Sequence, residues 1–163
     1  MPASGDSQGA GGAGGGGFTA IRHEVAVEVR YAETDAQGWV HHSNYLVWFE
    51  LARTGLCSLG GHHYAEIEKL GYFLVVTRTE TRHVTGARYG ETVAVGCRID
   101  RLTSRGVRFV YEVRRQDGQL LTSGATEHVW VDRASGRPCR TPEIVLEPFR
   151  RLAGREPPAP QEP

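Results

Sequence analysis

The sequence predicts an α+β domain in which a five-stranded antiparallel sheet wraps around one long central helix. Apolar residues recur at helical spacing after Asn44, on a face widened by Leu46, Val47 and Leu51. The residues of that face are Tyr45, Trp48, Phe49, Ala52 and Leu56. Such an apolar helix is usually enclosed rather than laid on a surface, and the strand patterns around it supply the sheet that encloses it.

The strands are predicted by apolar and polar residues that alternate with a period of two. They cover residues 25–31, 72–84, 92–102, 107–114 and 121–131. Gly60-Gly61 ends the helix, a short helical turn follows from Tyr64 to Leu70, and Asp117-Gly118 marks a tight turn. Because the last four strands follow one another closely, we expect them to pair in order as a meander.

The two ends of the chain differ from its middle in composition. Residues 1–19 are rich in glycine and residues 151–163 in proline, so we expect a disordered arm and a disordered tail. Residues 20–150 then form one domain of ordinary size.

Charge and cysteine content exclude several classes of protein. The 19 basic and 19 acidic residues cancel, so no basic surface for nucleic acid is indicated. No stretch reaches the length of a membrane span. The three cysteines, Cys57, Cys97 and Cys139, lie far apart, which argues against a disulfide framework or zinc site and favours the cytoplasm.

Chemically capable residues crowd into the loop before the helix. Asp35 is followed by Gly38, which permits a tight turn, and then by the pair His41-His42. A carboxylate here can act as general base or as nucleophile; the alternative is an ordinary turn aspartate. The helix start offers unpaired backbone N–H groups, so those of Val40, His41 and His42 are candidate donors to an oxyanion.

The segment ETDAQGWVHHSNYLVWFELAR (33–53) resembles the active-site segment of the 4-hydroxybenzoyl-CoA thioesterase-like hotdog proteins, especially their bacterial short-chain acyl-CoA thioesterase branch. The residues on the family's pattern are Tyr31, Asp35, Gly38, Val40, His42, Asn44 and Tyr45, whereas Gln37 departs from it. The order of elements matches from about Arg22 to about Val145.

This resemblance implies a hotdog fold, hydrolysis of an acyl-CoA to acid and coenzyme A, and active sites at the interface of a homodimer or homotetramer. Asp35 becomes the catalytic carboxylate, and His42 a group that polarises the carbonyl or orients water. The substrate pocket takes Tyr45, Val76, Thr77 and Arg78. Arg88, and more weakly Arg137 and Arg140, meet coenzyme A phosphates. No cofactor or metal is implied beyond coenzyme A as part of the substrate.

A second segment, RHVTGARYGE (82–91), resembles the family less closely, because His83 replaces an aromatic residue and Gly86 a proline. Rival interpretations are a carrier-protein thioesterase, a non-catalytic acyl-binding protein and a hotdog hydratase. The hydratase pattern has histidine five residues after aspartate, whereas His41 and His42 follow Asp35 by six and seven. We interpret Ser43 as a helix cap and His62-His63 as a solvated pair rather than a metal site.

Overall fold

The structure, a computed structural model, describes residues 20, 22–61 and 63–154. The helices are α1 (Asn44–Leu59), α2 (Tyr64–Lys69) and α3 (Glu143–Leu152), with a short 3-10 helix at Tyr31–Glu33. The strands are β1 (Arg22–Glu28), β2 (Tyr72–His83), β3 (Thr92–Leu102), β4 (Gly106–Arg115), β5 (Leu120–Asp132) and β6 (Arg137–Pro138). The predicted arm, and the predicted tail from residue 155, lie outside the described residues.

All strand pairs are antiparallel, in the order β1-β3-β4-β5-β2, and the two-residue β6 adds to β5. The meander was predicted from β2 onwards, but only β3, β4 and β5 form it. β2 pairs with β5 instead of β3, so the expected β2–β3 hairpin is wrong. The reason is the connection 84–91, whose Val84 N–H donates to Leu121 O and whose Ala87 O accepts the Val40 N–H. These bonds lead the chain across the sheet rather than back along β2.

Helix α1 lies against the inner face of the sheet, where its apolar side is buried as predicted. The Phe49 ring stacks on Tyr111 of β4 at 4.3 Å, and a Cβ added at Gly124 of β5 would approach the Phe49 ring at 2.5 Å. The helix is enclosed on one side only, because Val47 and Leu51 remain 48% and 50% exposed. The side of α1 that carries these two residues is therefore open in the single chain.

Helix α3 was not predicted from the sequence. It buries Val145, Phe149 and Leu152, and the Phe149 ring lies 5.9 Å from Trp130 of β5. These residues recur at i, i+4 and i+7, which is helical spacing, although Pro148 within the segment disfavours a helix. The helix continues to Leu152, two residues beyond the domain boundary predicted at 150.

Candidate active site

Asp35 heads a closed five-residue loop. Its N–H donates to Trp39 O at 2.8 Å, its carbonyl accepts the Gly38 N–H at 2.9 Å, and Gly38 has a φ of 78° that favours glycine. The Oδ1 oxygen accepts the N–H groups of Gln37 at 2.8 Å and of Trp39 at 3.4 Å. This is the geometry of an aspartate turn, the alternative interpretation of the residue. Within the described part of the chain, no group donates to Oδ2.

Glu33 ties this loop to the start of α1. Its carbonyl accepts the His41 N–H and the Asn44 side-chain Nδ2–H, both at 2.8 Å. Its buried carboxylate accepts the Arg30 backbone N–H at 2.8 Å and the Trp48 Nε1–H at 3.1 Å. Burial raises the pKa of Glu33, but the hydrogen bonds from Arg30 and Trp48 outweigh it, so the pKa lies below its usual value. Glu33 therefore anchors both residues of the candidate site: Asp35 follows it by two positions in the chain, and His42 follows His41, whose N–H is bonded to the Glu33 carbonyl.

Two of the three backbone donors expected at the helix start are already occupied. The Val40 N–H donates to Ala87 O at 2.9 Å and the His41 N–H to Glu33 O at 2.8 Å. The expectation that either serves an oxyanion is therefore wrong for this arrangement. The His42 N–H has no acceptor among the residues that the structure describes, so it alone of the three is free for a substrate.

The side chains of His41 and His42 lie at the surface, with ring centroids 4.2 Å apart. Ser43 stands at the N-cap position of α1 but makes no side-chain capping bond. Its hydroxyl instead lies 2.8 Å from His41 Nδ1. The prediction that Ser43 caps the helix is therefore wrong, and Ser43 hydrogen-bonds the His41 ring.

Tyr45 was expected to line the substrate pocket, but it is only 2% exposed. Its hydroxyl oxygen accepts the Ala87 N–H at 3.2 Å, and its ring lies 4.9 Å from His83 at the end of β2. Burial raises the pKa of Tyr45, so the phenol is neutral. Tyr45 therefore lies in the core next to the candidate site, where it packs against His83 and hydrogen-bonds Ala87.

The three β2 residues expected in the pocket do not share one face. Val76 lies opposite His128 on the inner side of the sheet, whereas Arg78 lies opposite Glu127 on the outer side and pairs with Glu80 at 2.6 Å. Thr77 sits in the bulge between them and donates its hydroxyl to Glu127 O at 3.1 Å. Of the three, only Val76 faces the side on which α1 packs.

The pairing of β2 with β5 identifies residues that the sequence analysis missed. Val76 shares its face with three exposed residues, and together they form what we name the inner wall of β2: Val76, Thr79, Thr81 and His83. The signal was present in TRTETRH, where these polar residues alternate with the charged Arg78, Glu80 and Arg82. His83 brings this wall to the buried Tyr45 at the start of α1.

Arg88 is the predicted phosphate contact that the structure brings to the Asp35 loop. Its guanidinium Cζ lies 3.7 Å from the Trp39 ring centroid, and the same ring packs so closely on Gly86 that an added Cβ would approach it at 2.8 Å. Arg137 lies opposite Asp132 at the far end of β5. Asp132 is ten residues from Thr122, which is about 33 Å along the strand at a rise of ~3.3 Å per residue. Neither Arg137 nor its near neighbour Arg140 is brought to the loop.

The histidine pair near the end of α1 is only half described. His63 lies 2.9 Å from the Ser58 hydroxyl through Nδ1, while His62 lies outside the described residues. Across the described ranges, no three His, Cys, Asp or Glu side chains lie close enough together to hold a metal ion.

Comparison with known proteins identifies the family. Residues 29–149 match the model of the thioesterase-like superfamily. The chain is 36% identical over 112 residues to the Bacillus subtilis (strain 168) protein named "Putative acyl-CoA thioesterase YneP", covering 69% of this chain and 81% of that one. It is 30% identical to the acyl-CoA thioesterase YbgC of Haemophilus influenzae, covering 77% and 93%.

A solved structure agrees with these relatives. The DHNA-CoA thioesterase of Staphylococcus aureus superposes with a TM-score of 0.71 at 33% identity, over 73% of this chain and 80% of that one. The expected hotdog fold, with an antiparallel sheet curled around α1, is confirmed. The chain belongs to the thioesterase-like superfamily.

Proposed function

We propose that this protein is an acyl-CoA thioesterase in which Asp35 is the catalytic carboxylate. One observation carries the proposal: among the described residues, Asp35 Oδ2 and the His42 N–H have no partner, and the Glu33 carbonyl joins the segments that carry them by accepting the His41 N–H and the Asn44 side-chain N–H. Acyl transfer needs a base or nucleophile on one side of a carbonyl and a hydrogen-bond donor on its oxygen. Membership of the family, and relatives named acyl-CoA thioesterases, support the same reaction.

In the favoured course Asp35 acts as a general base. It takes a proton from water as the water oxygen attacks the thioester carbonyl, and the His42 N–H stabilises the resulting oxyanion. The tetrahedral intermediate then collapses, the C–S bond breaks, and the coenzyme A thiolate receives the proton that Asp35 had taken. One donor of this kind is worth about 3–4 kcal/mol in the transition state. Direct attack by Asp35, with an anhydride that water then hydrolyses, is the alternative course.

Two neighbouring groups are assigned to substrate binding. The His42 side chain, exposed beside the same N–H, orients the water or polarises the carbonyl. Arg88, exposed beside the loop, meets a phosphate of coenzyme A, because a guanidinium forms paired hydrogen bonds with phosphate oxygens. Coenzyme A takes part only as a portion of the substrate.

The site is completed by a second copy of the chain. β2 stands at one edge of the sheet, and Val75 and Val76 on it are 43% and 45% exposed. An edge strand with exposed apolar residues favours pairing with another strand. Two copies joined along β2 would cover the inner wall of each, which makes a homodimer the smallest active unit.

The free Cys57, Cys97 and Cys139 favour a reducing compartment, the cytoplasm.

The first prediction concerns Asp35→Asn, measured as thiol release from short, long and aromatic acyl-CoAs. Asparagine can still accept the Gln37 and Trp39 N–H groups, so the loop keeps its shape but loses its base. We expect turnover to fall roughly a hundredfold or more, the scale of a lost acid–base group, with the oligomer intact.

Asp117→Asn is the matched control. Asp117 accepts the Gln119 N–H at 2.9 Å in the same kind of turn, but in the β4–β5 connection. It should retain full activity. Wild-type rates in Asp35→Asn would remove Asp35 from the mechanism. Thiol release from no coenzyme A ester by the wild type, but from acyl carrier protein, would move the proposal to a carrier-protein thioesterase.

A further inference from the structure

Arg53 of α1 is a positive charge for which the described residues supply no counter-ion. Every other described arginine either forms an ion pair with a carboxylate or is exposed, whereas Arg53 is half-buried and forms none. Its Nε is buried and has no hydrogen-bond partner among the same residues. A guanidinium is always charged, and a charge withdrawn from water is costly unless an anion meets it. Arg53 therefore stands where an anion is missing.

The groups that Arg53 does contact are neutral. Its Nη1 donates to the Tyr111 hydroxyl at 3.4 Å, and its side chain also bonds the Tyr64 hydroxyl of α2. Burial raises the pKa of both phenols, so neither is an anion at pH 7. The Tyr111 hydroxyl in turn lies 2.7 Å from the Thr126 hydroxyl. These bonds hold the guanidinium in place without cancelling its charge.

The same bonds bring Arg53 to the side of α1 that borders the inner wall of β2. Thr126, which bonds the Tyr111 hydroxyl, lies directly opposite Thr79, an exposed member of that wall. On α1, Leu46 is 38% exposed and precedes Arg53 by seven residues, which is two helical turns, so both lie on the same side of the helix. Exposed side chains of α1 and of β2 thus lie between the start of the helix and Arg53.

A second copy of the chain is the alternative source of the missing anion. The side of α1 assigned to the proposed homodimer carries Leu51, two residues before Arg53 and therefore about 200° away around the helix. Arg53 instead reaches into the sheet, to Tyr111 of β4. Its counter-ion is therefore expected from a molecule that enters between α1 and β2.

We propose that Arg53 binds a carboxylate at the far end of the acyl chain, so that the preferred substrates are coenzyme A esters of dicarboxylic acids of medium length. The inference rests on the proposed function, because it places the thioester carbonyl at the His42 N–H and the acyl chain between α1 and the inner wall of β2. Arg53 follows Tyr45 by eight residues, which is about 12 Å along α1 at a rise of ~1.5 Å per residue. A four-carbon acyl group is too short to span that distance.

The second prediction is tested with coenzyme A esters of eight and of ten carbons whose far end is a carboxylate, a hydroxyl or a methyl group. Their kcat/KM values are compared for the wild type, Arg53→Lys and Arg53→Gln. We expect the wild type to prefer the carboxylate roughly ten- to hundredfold, the range for hydrogen bonds to a charged group. Arg53→Lys should keep part of this preference, and Arg53→Gln, which can still bond the Tyr111 hydroxyl but carries no charge, should lose it. Butanedioyl-CoA should show no preference over butyryl-CoA.

Arg105→Gln is the matched control. Arg105 also forms no ion pair within the described ranges, but it is exposed in the turn between β3 and β4. The variant should keep the wild-type preference. Thermal unfolding separates substrate binding from a structural role: because Arg53 has no counter-ion within the described chain, Arg53→Gln should unfold at the wild-type temperature or above it.

Equal kcat/KM values for the three far ends in the wild type, or a carboxylate preference that survives in Arg53→Gln, would overturn the proposal. Loss of the oligomer in Arg53→Gln would overturn it too, because a second copy would then supply the counter-ion. Binding to the wild type is measured in parallel with non-hydrolysable analogues that carry a methylene group between carbonyl and sulfur. A carboxylate preference in binding without thiol release would retain the role of Arg53 while rejecting the thioesterase. Thiol release without a carboxylate preference would do the reverse.

Discussion

At the scale of single residues, Glu33 holds the shape of the candidate site through its hydrogen bonds. It is 3% exposed, and its carboxylate and carbonyl together hold Arg30, His41, Asn44 and Trp48. We predict that Glu33→Gln lowers the free energy of unfolding by roughly 1.5–3 kcal/mol at pH 7, the range for hydrogen bonds to a charged group. Glu28→Gln, at an exposed position on β1, should stay within about 0.5 kcal/mol of the wild type.

The sign of the pH dependence follows from the lowered pKa of Glu33. Its charged form stabilises the fold above the ordinary pKa of 4.5, and this contribution is lost as pH falls through the lower folded-state value. Urea unfolding should therefore show the difference between wild type and Glu33→Gln narrowing in acid. A difference that stays constant down to pH 3 would contradict this origin of the stability.

The residues of the site were predictable where their geometry is local. The spacing from Asp35 through Gly38 to the helix start is a property of one short segment, and that loop is as tight as predicted. The occupied N–H of Val40 was not predictable, because its acceptor Ala87 lies far along the chain. The sequence analysis missed His83 for the same reason, because its partner Thr122 becomes its neighbour only when β2 pairs with β5.

At the scale of elements, the buried histidine of β5, His128, predicts a fold that loses stability in acid. Burial lowers the pKa of His128 to about 3, helped by the charge of Arg53. The unfolded chain takes up this proton below about pH 6.5, while the folded chain excludes it, so stability falls as pH falls. The slope is up to ~1.4 kcal/mol per pH unit.

We predict that His128→Gln removes this slope. Glutamine can place a polar atom near the Thr126 hydroxyl, which His128 Nε2 meets at 2.7 Å, but it takes up no proton. The stability advantage of the wild type at pH 7 should be roughly 2 kcal/mol smaller at pH 5, measured by urea unfolding at both values. Parallel stability curves for the two proteins would show that His128 does not cause the acid sensitivity.

The elements themselves were predictable to different degrees. β3 was found at its observed bounds, because apolar residues alternate with others from Val93 to Ile99, before the irregularity between Ile99 and Arg101. α3 was missed, because Pro148 argues locally against a helix that packing of Phe149 on Trp130 nonetheless stabilises. The position of β2 was also missed, because alternation identifies a strand and its faces but not the neighbour with which it pairs.

At the scale of the whole molecule, one side of the described surface combines exposed apolar residues with an edge strand. Leu46, Val47 and Leu51 on α1 are 38%, 48% and 50% exposed, and β2 ends the sheet. A standard interface buries about 800 Å² on each partner, which one edge strand together with one helix face can supply. The exposed apolar side of α1, unexpected for a helix predicted to be enclosed, thus agrees with a second copy as its cover.

We predict that Leu51→Glu separates the proposed homodimer and lowers thiol release with it. Burying an unpaired carboxylate between two apolar helix faces is costly, so the variant should sediment as a monomer at concentrations where the wild type is a dimer. Ile144→Glu is the control, because Ile144 is 44% exposed at the start of α3 and belongs to neither α1 nor β2. Activity that falls with the monomer fraction of Leu51→Glu would show that the site needs both copies. A monomeric variant with full activity would mean that the site does not need a second copy beside the inner wall of β2.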